Sequence, residues 1–400
     1  MTLLLMLFAL DLWPGFDPRT IPVAIYDGTR TTLHGHPSPP PEFRDGVYEG
    51  RHPAVTSNSS ATIGGVATAT VMPGANEGVI AHEQFHVFQR AKHPKWEANE
   101  ADVFLYPIDD AKALALQRLE HEALRRALAA KNARCWTNAA LALRRQRFAL
   151  IGPAAAAYDR GSELNEGLAT YIQHRVLGTP ASRVFDDSDP APESVRQRAY
   201  ASGHALARLL DRFAPRWREQ LEAGDPRPLD ELLRGAVGSQ PTACAFSDAE
   251  RMTVETRAAV DAASVRTRRA ERRASFLAQK GWRVTITTDA PLFPAGFDPL
   301  NLHRVTEREL LHTRFVKLSG EPGSLEILGR HALTESAGAH PLFNGIRRIT
   351  LTGFAEEPGV TERDGVTTIN AGGVTGTLRG AAEVKVECAS CSNPSSSPPP

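Results

Sequence analysis

The stretch GVIAHEQFHVFQ, residues 78–89, places His82 and His86 four positions apart, with Glu83 directly after the first histidine. On an α-helix this spacing puts both imidazoles on one face, about one turn apart. Both rings can then reach one zinc ion at ~2.0–2.1 Å, while Glu83 can reach the attacking water without binding the metal. Residues 79–92 contain no proline or glycine, so a helix is expected here. The pattern predicts a zinc-dependent hydrolase with a carboxylate general base.

A second motif, ELNEGLATY at residues 163–171, offers the third protein ligand that such a site needs. It resembles the Asn-Glu-Gly-x-Ala segment of the gluzincins, especially the aminopeptidase N family. In that family the glutamate of the segment is the third zinc ligand, and the matching residue is Glu166. Glu163, one turn earlier, is the rival ligand. We favour Glu166 because only it precedes the small Gly167 and Ala169, which let two helices approach closely.

A third motif, YASGHALARLL at residues 200–210, resembles the Tyr-x-x-Gly segment that opens a later helix in the same family. There the tyrosine hydrogen-bonds the developing oxyanion, which implies that role for Tyr200. A phenol or an imidazole can donate to a tetrahedral intermediate, so His204, one turn later, is the alternative donor. The other interpretation is that Tyr200 and His204 only pack within a helix.

The chain also departs from the gluzincin pattern. Between His86 and Glu166 lie 79 residues, numbers 87 to 165, where the family has a short spacer. The family's Gly-x-Met-Glu-Asn exopeptidase motif is missing, and IGGVATA at residues 63–69 occupies the corresponding place. Aminopeptidase specificity is therefore not implied. The three motifs cover about a tenth of the chain and support a gluzincin-like zinc site.

Composition limits the classes of partner. The chain is 42% hydrophobic with a formal net charge of +0, so it can bury a sizeable core, and its length suggests two or three units. Balanced charge gives no case for binding nucleic acid. Of the four cysteines, Cys388 and Cys391 form a lone pair that is weak evidence for metal or redox work, whereas Cys135 and Cys244 can form a bridge.

The N-terminus contains eight apolar residues, Leu3 to Leu10, which suit a signal sequence and are too short to span a bilayer. A positively charged start and an Ala-x-Ala cleavage site are both missing. We expect residues 1–20 to be a targeting or N-terminal segment and the protein to be secreted or periplasmic. In the alternative, a cytoplasmic protein, the segment is a buried strand or helix. No other segment is apolar enough to be transmembrane.

The remaining sequence predicts an α+β protein. Residues 21–280 are expected to form a mainly helical, zincin-like catalytic domain with an N-terminal β-sheet, in which residues 61–72 form one strand. Residues 282–387 alternate short β-prone runs with Gly/Pro turns and predict a β-rich C-terminal domain. Residues 388–400 are expected to be a disordered tail.

Residues 109–160 are expected to be a helical insertion, because Ala, Leu, Arg and Glu dominate them. A break near Lys131 predicts two antiparallel helices that return Glu166 to the histidines. The arginine pair at 144 and 145 is expected to be solvated.

These observations favour a metallopeptidase that acts on a peptide or protein substrate through zinc. Two other hypotheses stay open. One is a binding or scaffold protein that keeps the fold without turnover, although such a protein has no chemical need for Glu83. The other is a zinc hydrolase that cleaves an ester or a non-peptide amide, since the same activated water serves all three reactions.

Overall fold

The computed structural model describes residues 11–185, 190–238, 244–379 and 382–389. Contacts divide the chain into two units, Met1–Ala262 and Ala263–Pro400. The first unit is mainly helical with a small β-sheet, and the second contains a large sheet. The predicted α+β class is therefore confirmed. The boundary falls inside a long helix, nearly twenty residues before the change in composition that the sequence shows.

The first unit opens with a five-stranded sheet in the order β3-β2-β1-β5-β4, in which only β1 and β5 run parallel. Its strands are β1 (Val23–Tyr26), β2 (Arg30–His34), β3 (Val47–Glu49), β4 (Ser59–Ile63) and β5 (Val66–Val71). The prediction of one strand over residues 61–72 was wrong. Gly64 and Gly65 both have positive φ, 53° and 81°, and such a pair turns the chain into a tight hairpin.

Eight helices follow in the described part of the chain. They are α1 (Glu77–Lys92), α2 (Ala111–Ala129), α3 (Ala133–Ser162), α4 (Leu168–Val176), α5 (Val195–Phe213), α6 (Trp217–Glu222), α7 (Leu229–Val237) and α8 (Asp248–Leu277). The predicted break near Lys131 is confirmed between α2 and α3. Gly152 interrupts α3 with a φ of 80° just before Pro153. A π-helical turn, Glu163–Gly167, joins α3 to α4. No helix among the described residues has the length and apolar character needed to cross a membrane.

Helix α1 begins where the Asn76 side chain accepts a hydrogen bond from the Val79 amide at 3.1 Å. One of its faces, which includes Phe85, packs into the helical core, and a second face, which includes Val87, packs on the sheet. The two histidines lie on the remaining buried face, which meets the π-helical turn. The four-residue spacing of His82 and His86 therefore places both rings on the face of α1 that meets this turn.

Residues 11–20, which the sequence grouped with the apolar N-terminal segment, contribute Leu12, Trp13 and Phe16 to the core of the first unit. Trp13 is 1% exposed, and its ring lies 5.5 Å from that of Phe85. The Gln84 amide donates to the Pro18 carbonyl oxygen at 2.8 Å, which attaches this segment to α1. The apolar stretch that precedes it lies outside the described residues.

A buried ion network joins α2 to α3. Arg144 donates from Nε to Glu120 Oε1 at 2.8 Å, and Arg147 donates from Nε to Glu120 Oε2 at 2.9 Å. The prediction that Arg144 is solvated was therefore wrong, since its side chain is 2% exposed, whereas Arg145 is exposed as expected. Arg144 and Arg147 are three residues apart on the face that meets α2, where both pair with Glu120, while Glu163 and Asp159 each pair with one of them.

Cys135 of α3 and Cys244, just before α8, form a disulfide with a Cα–Cα distance of 5.2 Å. This pairing, which the sequence left open, is confirmed. The bond links the start of α3 to a segment 109 residues later in the chain.

The second unit contains an 11-stranded sheet in the order β13-β14-β15-β10-β9-β6-β12-β11-β8-β7, with β16 also paired to β6. The strands are β6 (Trp282–Phe297), β7 (Leu302–Arg304), β8 (Glu309–His312), β9 (Phe315–Gly320), β10 (Gly323–Leu328), β11 (Ala332–Ser336), β12 (Ile346–Phe354), β13 (Gly359–Arg363), β14 (Val366–Ala371), β15 (Val374–Arg379) and β16 (Ala382–Cys388). The β-rich region is thus confirmed. Cys388, assigned to the tail, ends β16, and residues 390–400 lie outside the described part.

Candidate metal centre

Three buried side chains from α1 and the π-helical turn converge on one point. His86 Nε2 lies 3.1 Å from His82 Nε2 and 3.2 Å from Glu166 Oε2, and His82 Nε2 lies 3.6 Å from Glu166 Oε2. Ligand atoms around a tetrahedral ion with bonds of ~2.0–2.1 Å lie roughly 3.3 Å apart. The spacing fits that geometry, so this metal cluster (His82, His86 and Glu166) could hold a metal ion.

Gln89, which the sequence analysis missed, sets the proton position on His86. The Gln89 amide nitrogen donates to the carbonyl oxygens of Leu164 at 2.9 Å and Asn165 at 3.0 Å. Its Oε1 therefore faces His86 Nδ1, at 2.9 Å, and accepts that proton. The lone pair of His86 Nε2 is left to point at the other two members of the cluster, as metal ligation requires. In the sequence, the position of Gln89 one turn after His86 on the same predicted helix was the available sign of this contact.

A close crossing of the π-helical turn and α5 positions Glu166. A Cβ on Gly167 would lie 2.7 Å from Gly203 Cα, and a Cβ on Gly203 would lie 2.8 Å from the Glu163 carbonyl oxygen. Neither position has space for a side chain. The small residue after Glu166 thus permits the close approach that the sequence analysis used to choose this carboxylate. The π-helical form of the turn is itself common at functional sites.

The second oxygen of Glu166 binds an arginine that the sequence analysis did not foresee. Arg196 Nη2 donates to Glu166 Oε1 at 2.5 Å. Burial alone would raise the pKa of Glu166, but the neighbouring imidazoles of His82 and His86 and the hydrogen bond from Arg196 lower it far below its usual value. Glu166 is therefore ionised, with one oxygen held by Arg196 and the other facing the histidines. Arg196 lies one turn before Tyr200 on α5, and this spacing was the only sign in the sequence that Arg196 would lie near the metal cluster.

Glu163, the rival ligand, has other partners. Arg144 donates to both of its oxygens, from Nη1 to Oε2 at 2.7 Å and from Nη2 to Oε1 at 2.5 Å. The Ser202 hydroxyl also donates to Oε1, at 2.5 Å. These bonds occupy the carboxylate, and Glu163 is not part of the metal cluster.

Glu83, the predicted general base, is buried on α1 beside the cluster, with 6% of its surface exposed. Burial raises its pKa most, the charge of His82 lowers it and the negative charge of Glu166 raises it, and together these effects bring the pKa to about 7. Such a pKa, close to neutral, suits a group that takes and returns a proton.

The structure separates the two candidate oxyanion donors. The Tyr200 ring lies 6.4 Å from that of His82. Burial raises the pKa of Tyr200, and so do the charge of Glu166 and a hydrogen bond to it, so its phenol keeps its proton at neutral pH. His204 instead stacks on His174 of α4 at 4.6 Å, and burial lowers its pKa to about 3. Tyr200 is thus placed at the cluster, and His204 packs against α4.

Comparison of the chain with protein-family models, curated proteins and solved structures found no match. The function is therefore argued from the geometry and chemistry of the metal cluster and the side chains around it.

Proposed function

We propose that this protein is a zinc-dependent hydrolase that cleaves peptide bonds. The observation that carries the proposal is the set of three donor atoms, two imidazole nitrogens and one carboxylate oxygen, between 3.1 and 3.6 Å apart. Two histidines and a glutamate with one open position form a common ligand set of catalytic zinc sites. The hydrogen bond that fixes the His86 tautomer further supports a metal role.

The side chains around the cluster supply the remaining chemistry. Zinc, when bound, would act as a Lewis acid toward water and the scissile carbonyl. Glu83 accepts the proton of the attacking water and passes it to the leaving amine. A divalent cation beside Glu83 would lower its pKa from the value of about 7 that its buried surroundings produce, so the carboxylate would be ionised at neutral pH.

Tyr200 and Arg196 have distinct parts in this proposal. The Tyr200 phenol keeps its proton and donates a hydrogen bond to the oxyanion that develops on the carbonyl. Arg196 does not need to touch substrate. Its bond to Oε1 keeps Glu166 ionised and turns the other oxygen toward the histidines.

A peptide substrate is favoured over an ester by the sheet beside α1. Among the described strands, β4 is the last one on its side of the sheet, and it lies near α1, where Arg90 donates to the Ser60 hydroxyl. An extended peptide can add to such an edge through main-chain hydrogen bonds.

The Cys135–Cys244 disulfide supports the further proposal that the protein acts in an oxidising compartment, outside the cell or in the periplasm.

Substitution of Glu83 tests the proposal. Glu83→Gln should keep zinc, measured by elemental analysis, and should lose peptide hydrolysis by at least ~10²-fold, because glutamine cannot accept the proton. Glu77→Gln, at the start of the same helix and outside the cluster, is the matched control and should keep near-normal activity. Wild-type protein without zinc after reconstitution, or full activity in Glu83→Gln, would refute the proposed function.

A further inference from the structure

A cavity separate from the metal cluster opens between α4, α5 and the start of α6. Its volume is about 520 Å³, within the range of small-molecule sites. Three arginines line it, Arg175, Arg208 and Arg218, together with one acidic residue, Asp211. None of the metal-cluster residues lines this cavity.

Two of these arginines are fixed in place by neutral groups. Arg175 donates to the Tyr171 hydroxyl at 2.8 Å and to the Asp11 carbonyl oxygen at 2.9 Å. Arg218 donates to the carbonyl oxygens of Asp11 at 3.2 Å and Leu12 at 3.1 Å. Hydroxyl and carbonyl acceptors hold a guanidinium without cancelling its charge. Both cations are therefore positioned but not neutralised.

The third arginine has even fewer partners. Arg208 makes one long hydrogen bond, from Nη2 to the Thr179 carbonyl oxygen at 3.4 Å. Within the described ranges, no carboxylate forms an ion pair with any of the three arginines. Trp217 Nε1 donates to Asp211 Oδ1 at 3.0 Å, and the Tyr171 hydroxyl lies within hydrogen-bond distance of both Asp211 oxygens, at 2.9 and 3.0 Å, so this carboxylate already has partners. Three guanidinium groups and one carboxylate leave the lining with a net charge of +2.

We infer that this cavity binds a small organic anion through a carboxylate or a phosphate group. The guanidinium fork matches both oxyanions and forms charge-assisted hydrogen bonds with them. An oxyanion would also relieve the repulsion among three neighbouring cations. The volume leaves room for an organic body beyond the anionic group. This inference does not depend on the proposed zinc chemistry, because none of the metal-cluster residues lines the cavity.

Calorimetric titration of the full chain tests the inference with two probes, inorganic phosphate and succinate. Sodium chloride at the same ionic strength controls for general salt effects. Saturable binding of one equivalent is expected, and chloride should not reproduce it. A response to phosphate alone identifies a phosphate ligand, a response to succinate alone identifies a carboxylate, and a response to both supports the shared chemistry. Lack of saturable binding by either probe would overturn the inference.

Substitutions locate the binding. Arg208→Gln should weaken binding of the responding probe by about tenfold or more, since a charge-assisted hydrogen bond is lost. Arg218→Gln is the second variant, in case the first does not fold. Arg145→Gln removes one exposed charge from α3 and should leave the affinity unchanged. If the folded Arg208→Gln and Arg218→Gln variants bind the probe as tightly as wild type, the anion binds elsewhere, for example at the metal cluster. If Arg145→Gln loses as much affinity as these variants, the effect is one of general charge. Either result would overturn the inference.

Discussion

Two buried carboxylates, Glu163 and Glu166, lie three residues apart on the same π-helical turn and have opposite surroundings. Glu163 receives both guanidinium nitrogens of Arg144 and the Ser202 hydroxyl, so fixed partners satisfy each oxygen. Glu166 has one oxygen on Arg196, while the other faces two imidazole nitrogens. The comparison teaches that burial alone does not mark a functional carboxylate. A better sign of a metal-binding carboxylate is an oxygen that faces other atoms with lone pairs, such as imidazole nitrogens, because such atoms need a cation or a proton between them.

The network on the Glu163 side is balanced without any added ion. Burial would raise the pKa of Glu120, but the charges of Arg144 and Arg147 lower it to about 2. On the Glu166 side the balance is incomplete, since the lone pair of His86 Nε2 points toward an ionised oxygen 3.2 Å away. A bound divalent cation would satisfy both atoms.

The largest expected effect is loss of the metal in Glu166→Gln. Zinc-binding free energies of about 10–16 kcal/mol are shared among three or four ligands, so removing one charged ligand should weaken affinity by roughly 10²–10⁴-fold. Competition with a chromophoric chelator measures this affinity without any activity assay. Unchanged affinity in Glu166→Gln would remove the basis of the comparison.

Glu163→Gln should have the opposite effect. Breaking a buried ion pair from one side costs about 3–5 kcal/mol, because Arg144 loses a charged partner, so the free energy of unfolding should fall by that amount. Metal affinity of the folded variant should stay within a few-fold of wild type. Arg145→Gln, on the exposed side of α3, controls for the loss of a surface charge. A folded Glu163→Gln protein that cannot bind metal would show that we had assigned the two carboxylates the wrong way round.

Gln89→Leu sharpens the role of the hydrogen bond that sets the His86 tautomer. Loss of such an outer partner typically lowers metal affinity by about 10–100-fold, and the same chelator competition measures it. Gln146→Leu, at an exposed position of α3, is the control and should leave the metal affinity unchanged. If both variants bind metal equally well, the His86 tautomer does not depend on Gln89.

The smallest expected effect concerns the close crossing at Gly203. Alanine is favoured over glycine in a helix by about 1 kcal/mol, but its Cβ would lie 2.8 Å from Gly167 Cα, and overpacking costs about 1–3 kcal/mol. Gly203→Ala should therefore lower thermal stability slightly and weaken metal binding by moving Glu166.

Gly235→Ala is the matched control for that substitution. Gly235 lies in α7, and the nearest atom to an added Cβ is Arg227 Nη1 at 3.6 Å. This variant should gain about 0.5–1 kcal/mol, which thermal unfolding can measure. A Gly203→Ala protein stabilised to the same degree would show that the crossing is not tight.

Part of the site was predictable because it depends on local geometry. The four-residue spacing of His82 and His86 determines that both rings share a helix face, whatever the rest of the chain does. The small Gly167 after Glu166 indicated a close helix approach, which the crossing with Gly203 shows. The strand error over residues 61–72 was also local, since two consecutive glycines permit a type of turn that a β-prone composition hides.

The rest was decided by the tertiary structure. Arg144 and Arg145 are adjacent and chemically identical, yet only Arg144 is buried, because Glu120 and Glu163 lie on its side of α3. Likewise, Arg196 binds the Glu166 carboxylate only because the fold brings together two residues that lie 30 positions apart in the chain. The sequence by itself determined which residues can bind a metal and which helix face carries them. Only folding decided which buried charge meets an opposite charge and which faces other ligands, since the cost of burying a charge depends on partners distant in the chain.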